Sequence, residues 1–577
     1  MRHVMNAEKL IRMILLLLII IQMGCSQNNN TTGGLGESVF VFDAGMDMDE
    51  IQSLIDTIFT WQSSRGSEFT TKRFALLFKP GEYDLDIRVG YYMQVAGLGE
   101  SPEDVLIRGA VRSNSRRSGG GHVLTNFWRA VENLTVIPAS DSTNVWGVSQ
   151  AAPMRRVYIK GNLQLHDNGY SSGGFLADSK IDGMVLFGSQ QQWFSRNSQW
   201  KGCSGGAWNI LSMGVSGAPA SNWPEGPYTS LNEVPVSREK PYLVFVNEEL
   251  RLRIPKSRIN SSNVSWSNGH TDEKEISIKD FYIARPGTDD SESINKALKK
   301  GKNILLTPGI YKLENCLEVI RPGTVIVGLG MPSLVPVYGN TAVRVSDVDG
   351  VILSGLLMDA GTIYSESLLE VGSPGSDGQH AGDPIWLFDI FCRVGGPDQG
   401  SVKSCVTINS NHVFVDHIWL WRADHGNGVG WDLNRSASGL IVNGNNVSVY
   451  GLFNEHHQEY QTVWNGEGGK VYLYQSEMPY DPPTVDAWKH GTTGGYASYK
   501  VEEHVQTHEA WCVGVYCVFY QAPVVVYTAI ETPSGLEGNI HHKFTFWLNG
   551  NEDSIIENII NSKGESVHKD NRKATLK

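Results

Sequence analysis

Two stretches of this chain repeat one another in order and spacing, and that duplication restricts the folds open to it. The first reads Val39-Phe40-Val41-Phe42-Asp43, then a helix-like stretch from Asp49 to Trp61. It continues with an apolar run from Phe74 into Pro80-Gly81-Glu82-Tyr83-Asp84-Leu85, and with Val95-Ala96-Gly97-Leu98-Gly99. The second reads Phe281-Tyr282-Ile283-Ala284, then a helix-like stretch from Asp290 to Lys299. It continues with an apolar run from Ile304 into Pro308-Gly309-Ile310-Tyr311-Lys312-Leu313, and with Val325-Ile326-Val327-Gly328-Leu329-Gly330. The Pro-Gly pairs lie 228 residues apart (80 to 308), and the glycines closing the last motif 231 apart (99 to 330). An offset this constant marks a copied unit.

After each unit come short β runs closed by Gly, Asn, Asp and Ser, such as Val351 to Leu357, Val413 to Trp419, Leu440 to Gly444 and Val471 to Tyr474. Strands that recur every ~20–30 residues between turns are the coils of a solenoid. The opening helix caps the end of the stack and hides its edge. The fold class is therefore all-β: two tandem right-handed parallel β-helices, pectate-lyase-like, over 37–235 and 275–560. A connector spans 236–274, and 561–577 reads as a polar tail.

Residues 1–25 carry an export address. Arg2, Lys9 and Arg12 precede the apolar run Met13 to Ile21, which is too short to span a bilayer and suits a signal peptide. Gln22-Met23-Gly24-Cys25 then resembles a bacterial lipoprotein site with lipid on Cys25, although Gln22 stands where a Leu is usual. Residues 26–36 read as a flexible linker. These features predict a membrane-anchored lipoprotein, periplasmic or on the cell surface, monomeric, touching the membrane through its lipid alone. The remaining cysteines show neither CxxC nor zinc spacing, and no disulfide is assigned. A net charge of −13 without a Lys/Arg stripe argues against a nucleic-acid partner. Many Trp and Tyr residues suit stacking on sugar rings, and equally suit core packing.

The chemistry concentrates between Asp424 and Tyr480. Val449 to Glu455 superposes on Val471 to Glu477 without a gap at an offset of 22. Adjacent coils lie ~4.8 Å apart, so Glu455 stacks beside Glu477. Two carboxylates that close do not both ionise easily, and a carboxyl kept protonated near neutrality is what a glycosidase acid requires. The plain alternative is a glutamate ladder on a solvent face. His456, His457, Tyr460, Trp464, Tyr474 and Tyr480 surround the pair. Asp424 and His425 line the sugar site or tie down the glycine-rich loop that follows them. Trp419 and Trp421 alternate with Leu420, which places at least one of them in the core. His504 and His508 read as structural, and Gly328-Leu329-Gly330 lacks the Gly-Lys-Ser/Thr of a phosphate loop.

Trp419-Leu420-Trp421-Arg422-Ala423-Asp424-His425, Tyr450 to His456 and Gln475-Ser476-Glu477-Met478-Pro479-Tyr480 resemble glycoside hydrolase family 55. The resemblance is specific over 415–485 and architectural over about 37–560. It implies hydrolysis of β-1,3-glucan from the non-reducing end with inversion, in a cleft between the two β-helices, without metal or cofactor. It makes Glu477 the general acid, Tyr480 its neighbour, and Glu455 the carboxylate that helps hold the attacking water. It implies a Gln and a Ser from the first β-helix on that water, and Gln192 and Ser216 are selected. The substrate-binding set is Asp424, His425, His456, Tyr460, Trp464 and Tyr474. Asn454, Ser476 and Met478 depart from the family pattern and put the substrate in question more than the chemistry. Stacked carboxylates also suggest a gap near the ~5–5.5 Å of retaining enzymes, whereas inversion needs roughly 6.5–9.5 Å. Two rival readings remain. A β-helix polysaccharide lyase needs calcium-binding aspartates and a basic catalytic residue, and no such cluster is evident. A non-catalytic glycan-binding protein would be indifferent to Glu455 and Glu477.

Overall fold

The computed structural model describes residues 34–115, 121–139, 142–268 and 273–577. The signal segment, Cys25 and most of the linker lie outside the described residues.

Each duplicated unit opens a parallel stack. In the first, Val39–Phe42 pairs with Phe74–Phe78, which pairs with Met93–Gly97. In the second, Phe281–Ala284, Asn303–Leu306 and Val325–Gly328 pair in the same way. Helix α1 (Met48–Gln62) starts at Asp47, whose carboxylate caps the amides of Asp49 and Glu50, and it buries Ile51, Leu54, Ile55 and Ile58 on the stack. Helix α2 (Ser291–Lys299) is started by an Asp290/Ser293 capping box and buries Ile294, Ala297 and Leu298. The shared Pro-Gly-x-Tyr motif does the same work twice. Tyr83 donates to the carbonyls of Phe42 (3.2 Å) and Lys79 (2.8 Å). Tyr311 donates to those of Ala284 (2.8 Å) and Thr307 (2.9 Å). Each phenol locks the first coil to the second.

The N-terminal stack continues through Arg129–Pro138, Met154–Ile159, Phe175–Ala177, Gln192–Arg196 and Asn209–Met213 to Tyr228–Leu231. The C-terminal stack continues through Ile352–Asp359, Ile385–Val394, Val413–Arg422, Ser448–Glu455, Gly469–Glu477 and His508–Phe519 to Lys543–Gly550. A second parallel sheet of nine strands closes its other side, from Leu317–Val319 to Ile555–Ile560. The connector is strand-rich and antiparallel: Tyr242–Val246, Glu249–Pro255 and Glu273–Ser277 form one sheet. Its Leu243, Leu250 and Leu252 are buried in the core shared by both β-helices.

The expected polar tail is folded. Lys573–Leu576 pairs antiparallel with Lys543–Gly550, and Val567 and Ala574 are buried. The last coil would otherwise expose an unpaired edge, and alternation of Ala574 and Leu576 with Lys573 and Thr575 equips this segment to cover it.

One backbone feature sets which side chains meet between the β-helices. Gly355, Asp389, His417, Gly451, Leu473 and Cys512 all have positive φ. They occupy the same place in six successive coils, between paired residues such as Asp416↔Tyr450↔Tyr472 and Ile418↔Leu452↔Tyr474. A left-handed residue breaks the in/out alternation of a strand. Tyr450 and Tyr472 therefore face the seam between the β-helices, whereas Leu452 and Tyr474, two residues further on, enter the solenoid core. Asn133, Arg156, Asp178 and Asn197 form a similar column of positive φ in the N-terminal stack.

Candidate active site

Downstream of that column, alternate residues of three adjacent strands face the seam. Trp421 pairs with Glu455, and Glu455 with Glu477. Tyr516 follows Glu477 in the next coil. The two glutamates thus stand one coil apart on one face, as their spacing predicts. Trp419 and Trp421 both face the seam, and Leu420 is the one that enters the solenoid core.

Their surroundings differ. Glu455 is 3% exposed. Its Oε1 accepts from Gln150 Nε2 (2.9 Å) and its Oε2 from Trp419 Nε1 (2.8 Å). Burial, and then the charge of Glu477, push it up to about 7. Glu477 lies at the rim, 9% exposed. Tyr480 donates a short hydrogen bond to its Oε2, and His456 Nε2 lies 3.6 Å from the same oxygen. His456 Nδ1 is hydrogen-bonded to the Arg422 carbonyl (3.1 Å). Against its burial, the neighbouring carboxylate of Glu477 and the charges of Asp424 and Glu455 raise His456 to about 9. Arg422 holds Asp481, the residue after Tyr480, through both carboxylate oxygens at 2.8 Å each. The loop that carries Tyr480 is thereby fixed beside the pair.

Asp424 and His425 extend the site away from Glu477. His425 Nδ1 is bonded to Asp424 Oδ1 (2.8 Å) and its Nε2 to Glu68 Oε1 (2.6 Å) from the N-terminal β-helix. Burial works against the charge on His425, but the two carboxylates outweigh it and lift the imidazole to about 10. Asp424 is held low: against its burial act the hydrogen bond to His425 and the charge of His456.

The water partners expected from the first β-helix need correction. Ser216 is exposed on another face. It bridges to Gln199, and its amide meets Ser198 O and Asn263 Oδ1. Gln192 does reach the seam, but its amide donates to the carbonyls of Tyr474 (3.1 Å) and Cys512 (3.4 Å) and accepts from Tyr516 (2.9 Å). It joins the solenoids one layer behind the carboxylates. The residues at the pair are Gln150 and Ser172, whose Oγ donates to Gln150 Oε1 (3.1 Å). A usable signal was present, because 150 and 172 are separated by the same 22 residues as 455 and 477.

Three of the expected sugar contacts lie elsewhere. Tyr474 is fully buried in the solenoid core and bonded to Ser498. Trp464 is core too, packed edge-on against His508 at 4.8 Å. Tyr460 belongs to a separate cluster with His490, Lys500 and Glu531. Among the described residues, no group of three His, Cys, Asp or Glu side chains is placed to hold a metal ion.

Twin β-helices with a carboxylate pair at their seam, edged by Tyr, His and Trp, define a carbohydrate-active hydrolase class. Residues 281–477 match the LAM55 pectate lyase-like domain. A protein named exo-beta-1,3-glucanase, from Streptomyces sp. (strain SirexAA-E / ActE), is 45% identical over 494 residues, 85% of this chain and 80% of that protein. The solved structure of sacteLam55A from Streptomyces sp. SirexAA-E superposes with a TM-score of 0.90 at 42% identity, covering 94% of this chain and 98% of that one. A glutamate-to-alanine variant of sacteLam55A in complex with glucose superposes equally well, at 41% identity and the same coverage. The chain belongs to glycoside hydrolase family 55.

Proposed function

We propose that this protein is an exo-acting, inverting hydrolase of β-1,3-glucan, with Glu477 as general acid and Glu455 as the carboxylate that activates water. One observation carries the reading: Glu455 and Glu477 stand in register on adjacent coils at the seam, in unlike surroundings. Glu477, at the rim beside Tyr480 and His456, faces the space where a leaving sugar's oxygen would lie. Glu455, deeper and held by Trp419 and Gln150, is placed to orient a water with Gln150 and Ser172. Glu477 delivers a proton to the leaving oxygen, while Glu455 draws a proton from the attacking water. Bond breaking leaves the aglycone as a neutral alcohol and the released sugar with inverted configuration.

The relative named exo-beta-1,3-glucanase and the glucose complex of sacteLam55A support the substrate class. The N-terminal address supports export and anchoring through Cys25, and the protein is expected to act as a monomer. The test is to incubate the purified protein with a panel of β-glucans and identify the released sugar and its anomer. Glucose released first as the α-anomer from β-1,3-linked chains is expected. An unsaturated product would mark a lyase instead, and binding without sugar release a glycan-binding protein.

A further inference from the structure

The site is bounded very differently on its two sides along the solenoid axis. On one side, Tyr516 follows Glu477, and the surface continues to Tyr520, 61% exposed, and to Trp208 and Phe546, partly exposed with ring centroids 4.3 Å apart. On the other side, the coil before Glu455 carries Trp421. There a short 3-10 segment of the N-terminal β-helix, Arg65–Phe69, crosses the seam. The Phe69 ring lies parallel to Trp421 at 6.3 Å. It also rests on Gly396 and Gly426, where a Cβ would come within 2.7 Å of it, so any larger residue would displace it. Gly396 and Asn427 are bridged by paired backbone hydrogen bonds of 2.9 and 2.6 Å, which tie two successive loops beneath the ring. Glu68 is 5% exposed and bonded to His425, and its carbonyl accepts from Tyr92 (2.5 Å), which in turn is bonded to Arg393.

Resting on the glucanase reading, we propose that Glu68 and Phe69, seated on Trp421, His425 and the two glycines, form the wall that admits a single sugar residue beyond the scissile bond. The wall stands one coil from Glu455, a step of ~4.8 Å. It closes that end of the site beside Asp424 and His425, so that a chain continuing past the terminal sugar would run into it. The chain-end requirement thus comes from the N-terminal solenoid, although both carboxylates belong to the C-terminal one.

The test compares two laminari-oligosaccharides of equal length, one free and one carrying a benzylidene acetal on O4 and O6 of its non-reducing terminal glucose. Wild type should cleave the free chain about 100-fold faster than the blocked one and release glucose alone. The Glu68→Ala/Phe69→Gly variant should shrink that ratio at least about tenfold and release di- or trisaccharides. Should the double variant fold poorly, Glu68→Ala alone leaves Phe69 in place and should move the ratio in the same direction by about threefold. A folded variant that stays glucose-only and end-dependent overturns the wall. A wild type that cleaves neither chain overturns the glucanase reading, and the wall with it.

Discussion

Two sets of buried carboxylates sit on the same seam, on successive coils, and they do opposite things. In the first, Asp389 and Asp416 face cations. Arg155 reaches Asp389 at 2.7 Å and Asp416 at 2.8 Å, Arg196 reaches Asp416 at 2.6 Å, and Lys240 reaches Asp389 at 2.9 Å. Burial alone would raise both acids, but Arg155 and Lys240 hold Asp389 well below the carboxylate range, and Arg196 and Arg155 hold Asp416 low. Asp178 shares Arg196, its second oxygen finds no hydrogen-bond partner among the described residues, and burial lifts it to about 7. In the second set, Glu455 is hydrogen-bonded to neutral donors and faces another carboxylate, and it rises to about 7 although the charge of His456 opposes the rise. Burial is common to both sets. The number of facing cations decides whether an acid becomes a clamp between solenoids or a group that trades protons. The two are physically joined, because His417 is hydrogen-bonded to Asp389 (2.9 Å) and to the carbonyl of Gln150 (3.1 Å), the residue that holds Glu455.

This contrast can be broken experimentally. The largest effect is expected from Glu477→Gln, which should lower kcat on β-1,3-glucan by about 10³–10⁴. Its melting temperature should fall by only about 2–4 °C, because the variant removes one carboxylate from His456, which keeps the charges of Asp424 and Glu455. The reverse is expected of Asp416→Asn, which leaves Arg155 and Arg196 short of a countercharge. It should cost about 3–5 kcal/mol of stability in denaturant unfolding. If Asp416→Asn proves neutral, the clamp is not one.

The pH dependence sharpens the difference. A carboxyl raised in the folded state keeps its proton while the unfolded one loses it. Glu455 should therefore make the protein less stable as pH rises from about 4.5 to about 7, with no further change above. Glu455→Gln should flatten that segment of the stability curve, by on the order of 1–3 kcal/mol. His456 has the opposite sign. Raised to about 9, it contributes stability that is complete below 6.5 and is lost as pH climbs through about 9. The smallest effect is assigned to Trp419→Phe, which removes one donor to Glu455 and keeps the ring. About a tenfold loss of kcat/KM with little change in KM is expected.

The duplicated units, both cap helices and the stacking of Glu455 on Glu477 were legible because each rests on local pattern or on a constant offset. Residues that depend on the seam were harder. Gln150 meets Glu455 across 305 residues of chain, and nothing local to Ser149-Gln150-Ala151 announces it. Tyr474 was placed at the sugar site by its nearness in sequence to Glu477, but alternation counted back from Glu477 turns it to the opposite face, into the solenoid core. What no rule for leucine predicts is the left-handed Leu473, which sends Tyr472 to the seam although it lies two residues from Tyr474. Residues 561–577 were misread because the edge they cover exists only once the last coil is in place.

The assignment of Glu477 is tested most directly by leaving-group chemistry. An aryl β-glucoside with a strongly acidic phenol departs without protonation, whereas a glucan oxygen does not. Glu477→Gln should therefore keep kcat within about tenfold of wild type on the dinitrophenyl glucoside while losing about 10³ or more on laminari-oligosaccharides. An equal loss on both substrates would contradict the role of Glu477 as the proton donor.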